Sequence, residues 1–238
     1  MLLFLLAAAL FLADPASTAA PAATPATQPA PLREIVYKIS ETDMVSQSGT
    51  DYYGTASGSG SVGDEGTLTI DILQVAKGNI LQVRATELWR SLGSKSYSAI
   101  GYVGADGTLG IVEGTYSQSM LAVLPFLGQD YIASHDMSVG TEWILSADTQ
   151  DKAHIERRYS VTKVDGADVT VTVNGTMKGG IGMFPMTERD TIVYRPSKLV
   201  ALTGQFETRT LSSSATATQD TTHRFHFERV SDTRDTQP

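Results

Sequence analysis

The chain has 238 residues, 18 Lys and Arg against 26 Asp and Glu, a formal net charge of −8, and no cysteine. The negative balance argues against polyanion partners. Its longest basic element is Arg157-Arg158, and no cationic cluster is interleaved with aromatics, so no nucleic-acid partner is expected. Without cysteine there are no disulfides, thiolate metal sites, cysteine nucleophiles or N-terminal acyl-lipoprotein attachment. A cysteine-free exported domain fits a bacterial envelope or secreted protein better than a eukaryotic secreted one.

Residues 1–12 (MLLFLLAAALFL) form an uncharged apolar run, short of the roughly 20 residues a spanning helix needs. An Ala/Pro/Thr-rich stretch follows. The order matches a signal peptide, residues 1–19 cleaved after Ala19, and then a spacer over 20–31. The n-region has no basic side chain, so an uncleaved N-terminal anchor is the alternative. The expected location is secreted or periplasmic, with no transmembrane helix in the mature chain.

From Leu32 the pattern is short strands punctuated by turn residues. The first strand is predicted over 32–39. The Gly/Ser-rich stretch 50–63 reads as a loose edge strand or a loop. Hairpins are predicted for 67–75 with 80–88, and for 98–103 with 108–113, where Asp106-Gly107 supplies the positive-φ turn. Strands over 143–149, 153–164 and 168–178 follow, the last two joined across Asp165-Gly166. Then come 188–194 and 199–211, and finally 222–230. Val169, Val171 and Val173 alternate with Thr170, Thr172 and Asn174, as a half-buried antiparallel strand requires. Asn174-Gly175-Thr176 matches a glycosylation sequon but reads as an Asn-Gly turn. In 116–127, Tyr116, Met120, Val123, Leu124 and Leu127 fall on one helical stripe that Pro125 distorts or ends.

The fold class that follows is mainly β: a curved antiparallel sheet, half-barrel or two-lobed meander, with one short helix that packs on a concave sheet face or joins two lobes. The domain is expected over 32–230, with a candidate division into halves 32–134 and 135–230 suggested by a weak repeat of about 90 residues in the spacing of hydrophobic positions. Residues 231–238 have nothing to bury and are expected to be a disordered tail.

Motifs that carry chemistry are scarce. Gly58-Ser59-Gly60-Ser61-Val62-Gly63 matches G-x-G-x-x-G, but Asp64-Glu65 follow it where a phosphate-binding helix should begin. His223 and His226 are three apart on a strand and therefore face opposite ways. His135 and His154 have carboxylates near them in sequence but no nucleophile. Asp148, Asp151 and Glu156 lack cation-loop spacing. No catalytic, metal or cofactor site is assigned. The weak ligand-binding candidates are Met120 and Leu124 on the helix, and Met183, Phe184 and Met186 in the glycine-rich segment KGGIGMFPMT (178–187), which offers soft apolar surface.

From Asp136 the order D-M-S-V-G-T-E-W, a long hairpin, glycine-bearing loops and a strand ending in G-Q-F-E-T resembles a group of uncharacterised secreted bacterial β-rich proteins. Val139, Gly140 and Trp143 carry the V-G-x-x-W pattern. The resemblance implies a curved antiparallel sheet outside the cytoplasm and no particular reaction. The architecture alone is similar to the half-barrel of bacterial lipoprotein carriers. Three functions stay open: a non-enzymatic extracytoplasmic domain that binds or scaffolds an unknown protein; a carrier of an apolar small molecule or lipid in a hollow sheet; and a hydrolase with a carboxylate pair.

Overall fold

The structure is a computed structural model that describes residues 30–51, 54–90, 96–148, 153–179, 185–214 and 216–235. The expected signal peptide and most of the spacer, Asp151, and the candidates Met183 and Phe184 lie outside these. The chain forms strands β1 (Arg33–Asp51), β2 (Gly54–Ala76), β3 (Ile80–Trp89), β4 (Ser96–Val103) and β5 (Leu109–Gly114). A short helix α1 (Gln118–Val123) and a 3-10 turn (Leu124–Leu127) follow. Strands β6 (Glu142–Asp148), β7 (Ala153–Asp165), β8 (Asp168–Gly179), β9 (Met186–Arg195), β10 (Val200–Ser213) and β11 (Ala217–Asp232) complete the sheet.

All eleven strands belong to one sheet, in the order β5-β4-β3-β2-β1-β11-β10-β9-β8-β7-β6. Every pairing is antiparallel. This is an up-and-down meander whose first and last strands pair in the middle. The sheet is not closed, and its free edges are β5 and β6, which are consecutive in the chain. The segment between them, 115–141, crosses the hollow face, and its 3-10 turn packs against both β4 and β10.

The inward positions alternate as predicted. Ile35, Tyr37 and Ile39 of β1, Leu68, Ile70 and Ile72 of β2, Val169, Val171 and Val173 of β8, and Ile192 and Tyr194 of β9 are all buried. Phe225 and Phe227 of β11 meet Phe206 and Tyr37, with Tyr37 and Phe227 edge-on at 5.4 Å. Each such fully buried large side chain contributes roughly 1.5–3 kcal/mol. One hydrophobic cluster draws on strands before and after residue 134.

The helical segment forms where the stripe predicts it. Met120, Val123, Leu124 and Leu127 are buried against the sheet. Ser117 caps α1, its Oγ accepting from the Met120 N–H at 3.1 Å, and the Ser117 hydroxyl donates to Glu87. Pro125, which cannot donate to a continuing α-helix, coincides with the switch to 3-10 geometry.

Residues 54–63 form the distal part of β2; they pair with β1 alone, because β3 pairs only with Gly66–Ala76, so this stretch is a local edge of the sheet rather than a loop. They lack an apolar alternation because this end of the β1–β2 hairpin extends past the packed core and is exposed. Asn174-Gly175 is no turn: it lies inside β8, between Arg158 and Arg157 of β7 and Arg189 and Glu188 of β9. Of the expected tail, Ser231 and Asp232 end β11 and Thr233–Asp235 form a 3-10 turn. Asp232 is buried because Arg33 grips it in a two-point ion pair at 2.6 and 3.0 Å, with Arg229 adding a third contact at 3.1 Å.

Candidate functional site

The cross-strand register sets side chains in rows across the hollow face. One row runs Glu41, Phe225, Phe206, Asp190, Val173, Tyr159, Trp143. The next, two residues along each strand, runs Asp43, His223, Thr208, Glu188, Gly175, Arg157, Leu145. The first is largely aromatic and apolar; the second is polar. Asp190 interrupts the apolar row, and Arg157 and Glu188 stand beside it in the polar one.

Arg157 and Glu188 are two strands apart. Their guanidinium and carboxylate meet at 2.7 and 3.2 Å across Gly175. A Cβ at position 175 would lie 2.6 Å from Glu188 Oε2 and 3.4 Å from Arg157 Cγ. The glycine is thus the gap through which the ion pair reaches over β8. A sequence pair of Asn and Gly favours a turn, but here the small residue is needed for a close approach inside a strand.

Asp190 is 5 % exposed. It accepts from the Glu207 backbone and lies within hydrogen-bonding range of Glu188. Its Oδ1 has no donor among the described residues. Burial, then the neighbouring Glu188 charge, raises its pKa to about 9. Asp190 therefore keeps a proton at neutral pH, beside the Glu188 carboxylate group that Arg157 engages at two points. Burial works against the charge of Arg157, but the hydrogen bonds and charge of Glu188 hold its pKa above the ordinary value. Tyr131 and Tyr159 join hydroxyl to hydroxyl at 2.9 Å, and burial raises both phenols. Tyr159 stacks on Trp143 at 5.1 Å, and Trp143 on His135 at 4.3 Å.

Arg157, Glu188, Asp190, Tyr131 and Tyr159 line a cavity of about 220 Å³ between the helical segment and the sheet. Gln118, Leu121, Ala122, Pro125 and Phe126 form its roof. Val173, Phe206, Thr208 and Phe225 of the sheet line it with the polar group. Leu121 is half exposed at the rim. Next to it, a cleft of about 340 Å³ shares Pro125, Tyr131, Arg157 and Tyr159, and opens toward the edge strand β6.

Of the residues singled out from sequence, Met120 and Leu124 are fully buried in the core on the opposite side of the helix from the cavity roof. Met186 is half-buried at the start of β9, opposite Thr210 and Met177. His223 lines the cavity and pairs with Asp43 at 2.7 Å. His226 points to the other face, onto the Gly204 carbonyl. His154 makes an exposed pair with Asp148 at 2.8 Å. Val139 is exposed and Gly140 adopts a positive φ of 93°, which suits the turn before Trp143.

Arg157, Glu188 and Asp190 were not anticipated as a group. Their signal was parity: Arg157 shares a face with Tyr159 and Val161, and Glu188 and Asp190 share one with Ile192 and Tyr194. Chemically, the carboxyl pair stores a proton. It does not match the glycosidase arrangement, in which two carboxyls stand about 5–10 Å apart on either side of the bond to be cleaved. Here the carboxyls touch, and both Glu188 oxygens are engaged by Arg157. No group of three or more His, Asp or Glu side chains among the described residues could hold a metal ion. No family model matches the chain, and no curated protein matches it.

Proposed function

We propose that the chain is an extracytoplasmic binding protein that holds a small, partly apolar ligand between the helical segment and the hollow face of its sheet. The observation that carries this reading is the 220 Å³ cavity, walled by aromatics yet floored by a buried, incompletely satisfied carboxyl. Cavities with apolar walls and a few convergent polar groups are what small-molecule sites look like. The polar floor favours a compact ligand with a hydrogen-bonding head over a long acyl chain. The extracytoplasmic placement rests on the apolar N-terminal run and the absence of cysteine.

Native mass spectrometry of the protein purified from its exported fraction, against a denatured control, tests the reading. A small bound mass should be lost on denaturation and absent from Ala122→Phe, which fills the cavity roof. A bare mass in both, with no thermal stabilisation by small amphiphiles, would leave the alternative of a protein-binding scaffold. The size of the N-terminus in the same sample tests cleavage after Ala19.

A further inference from the structure

Resting on that reading, we propose that the ligand is a small hydrophobic amine whose ammonium group docks between Asp190 and Glu188. The buried carboxyl of Asp190 and the half-buried one of Glu188 share the floor of the cavity with one guanidinium. Arg157 satisfies Glu188 at two points, whereas Asp190 Oδ1 finds no donor. Full ionisation of the pair therefore lacks one cation. An alkylammonium supplies both the missing charge and the missing N–H. An anion would face two carboxyls, and an alcohol would supply a donor but no charge. Around the floor stand Phe126, Tyr131, Tyr159, Phe206 and Phe225. Aromatic faces attract cations and accept the apolar body of the ligand. The cavity is smaller than the roughly 300–1,000 Å³ of drug-sized sites, which suits an amine of about six to nine heavy atoms.

In the free protein Asp190 carries a proton and Arg157 engages Glu188. When the ammonium enters, that proton leaves to solvent and both carboxyls face cations, Glu188 the guanidinium and Asp190 the ligand. The other titratable groups lining the cavity are Tyr131, Tyr159 and His223, with Asp43 behind His223.

Isothermal titration calorimetry with hexylamine and 1-hexanol, at pH 7.5 in phosphate and in Tris, separates the possibilities. Hexylamine should bind one per chain and release close to one proton, read from the difference between buffers. Hexanol should bind at least tenfold more weakly. Asp190→Asn should lose at least tenfold for hexylamine while hexanol is unchanged. Equal binding of both probes without proton release overturns the amine assignment and leaves the hollow-sheet reading standing. Binding of neither probe, together with a bare native mass, overturns both.

Discussion

Asp190→Asn tests whether the buried carboxyl keeps its proton in the folded protein. Its folded pKa is raised from 3.8 to about 9 by burial and then by Glu188. Between those values the native state holds a proton that the unfolded chain has released. For a raised acid this stabilisation is complete below the unfolded pKa and is lost as pH rises toward the folded one. The slope is set by one proton, about −1.4 kcal/mol per pH unit, and does not depend on how large the shift is once both values are outside the window. From pH 5.5 to 7.5 the wild type should therefore lose about 3 kcal/mol that the asparagine variant, which mimics the protonated carboxyl, does not. Urea unfolding of both proteins at five pH values gives the difference curve directly, and contributions of the histidines cancel in it. Parallel curves would refute the reasoning, because Asp190 would then titrate as an ordinary surface carboxyl.

Further perturbations test the supports of the site. Gly175→Ala places its Cβ 2.6 Å from Glu188 Oε2; splitting the pair with Arg157 should cost about 1–3 kcal/mol by chemical denaturation. Unchanged stability would mean that Glu188 moves aside freely. Asp232→Asn breaks the buried contact with Arg33 and should cost about 3–5 kcal/mol. Although burial opposes ionisation, the hydrogen bonds from Arg33 and the Arg234 backbone hold the Asp232 carboxyl below its ordinary pKa. Its stabilisation is therefore present above the unfolded carboxyl value of about 3.9 and lost as pH falls through the folded one, so the Tm gap between wild type and variant should narrow in acid. Ser117→Ala removes the α1 cap, worth about 1 kcal/mol, and one donor to Glu87; the Met120 and Leu121 amides should exchange faster by hydrogen exchange, with the sheet amides unchanged.

Much of the sheet is legible because strand period and turn chemistry agree. Val169, Val171 and Val173 mark β8, Asp106-Gly107 marks the β4–β5 turn, and the Met120–Leu127 stripe marks the helical segment. The site is legible only in part, for two reasons. Charged residues in strands such as ERRYS and TERDT look like solvent-facing positions, and only their parity with Tyr159 and Ile192 turns Arg157, Glu188 and Asp190 inward. Pairing partners also come from register, which local sequence does not specify. Nothing near Asn174-Gly175 announces that an ion pair between residues 31 apart passes over it. The helix shows the same limit: its stripe identifies a buried face, but Met120 and Leu124 fill the core while Leu121 and Ala122, on the other flank, face the cavity.

The pairing of the first strand with the last has a consequence for how the chain reaches this state. Arg33 and Asp232 join across 199 positions, and β1 lies bare along one side until β11 arrives. A chain emerging from its N-terminus can build the β1–β5 meander but leaves β1, with its buried Ile35, Tyr37 and Ile39, as an open edge until β11 is made. Loop closure over such a span makes folding slow and the waiting state prone to edge-to-edge association. A circular permutant that joins the present ends through a short linker and opens the chain in the 128–141 connection would turn the remote pairing into a local hairpin. It should refold faster than the natural order at similar final stability.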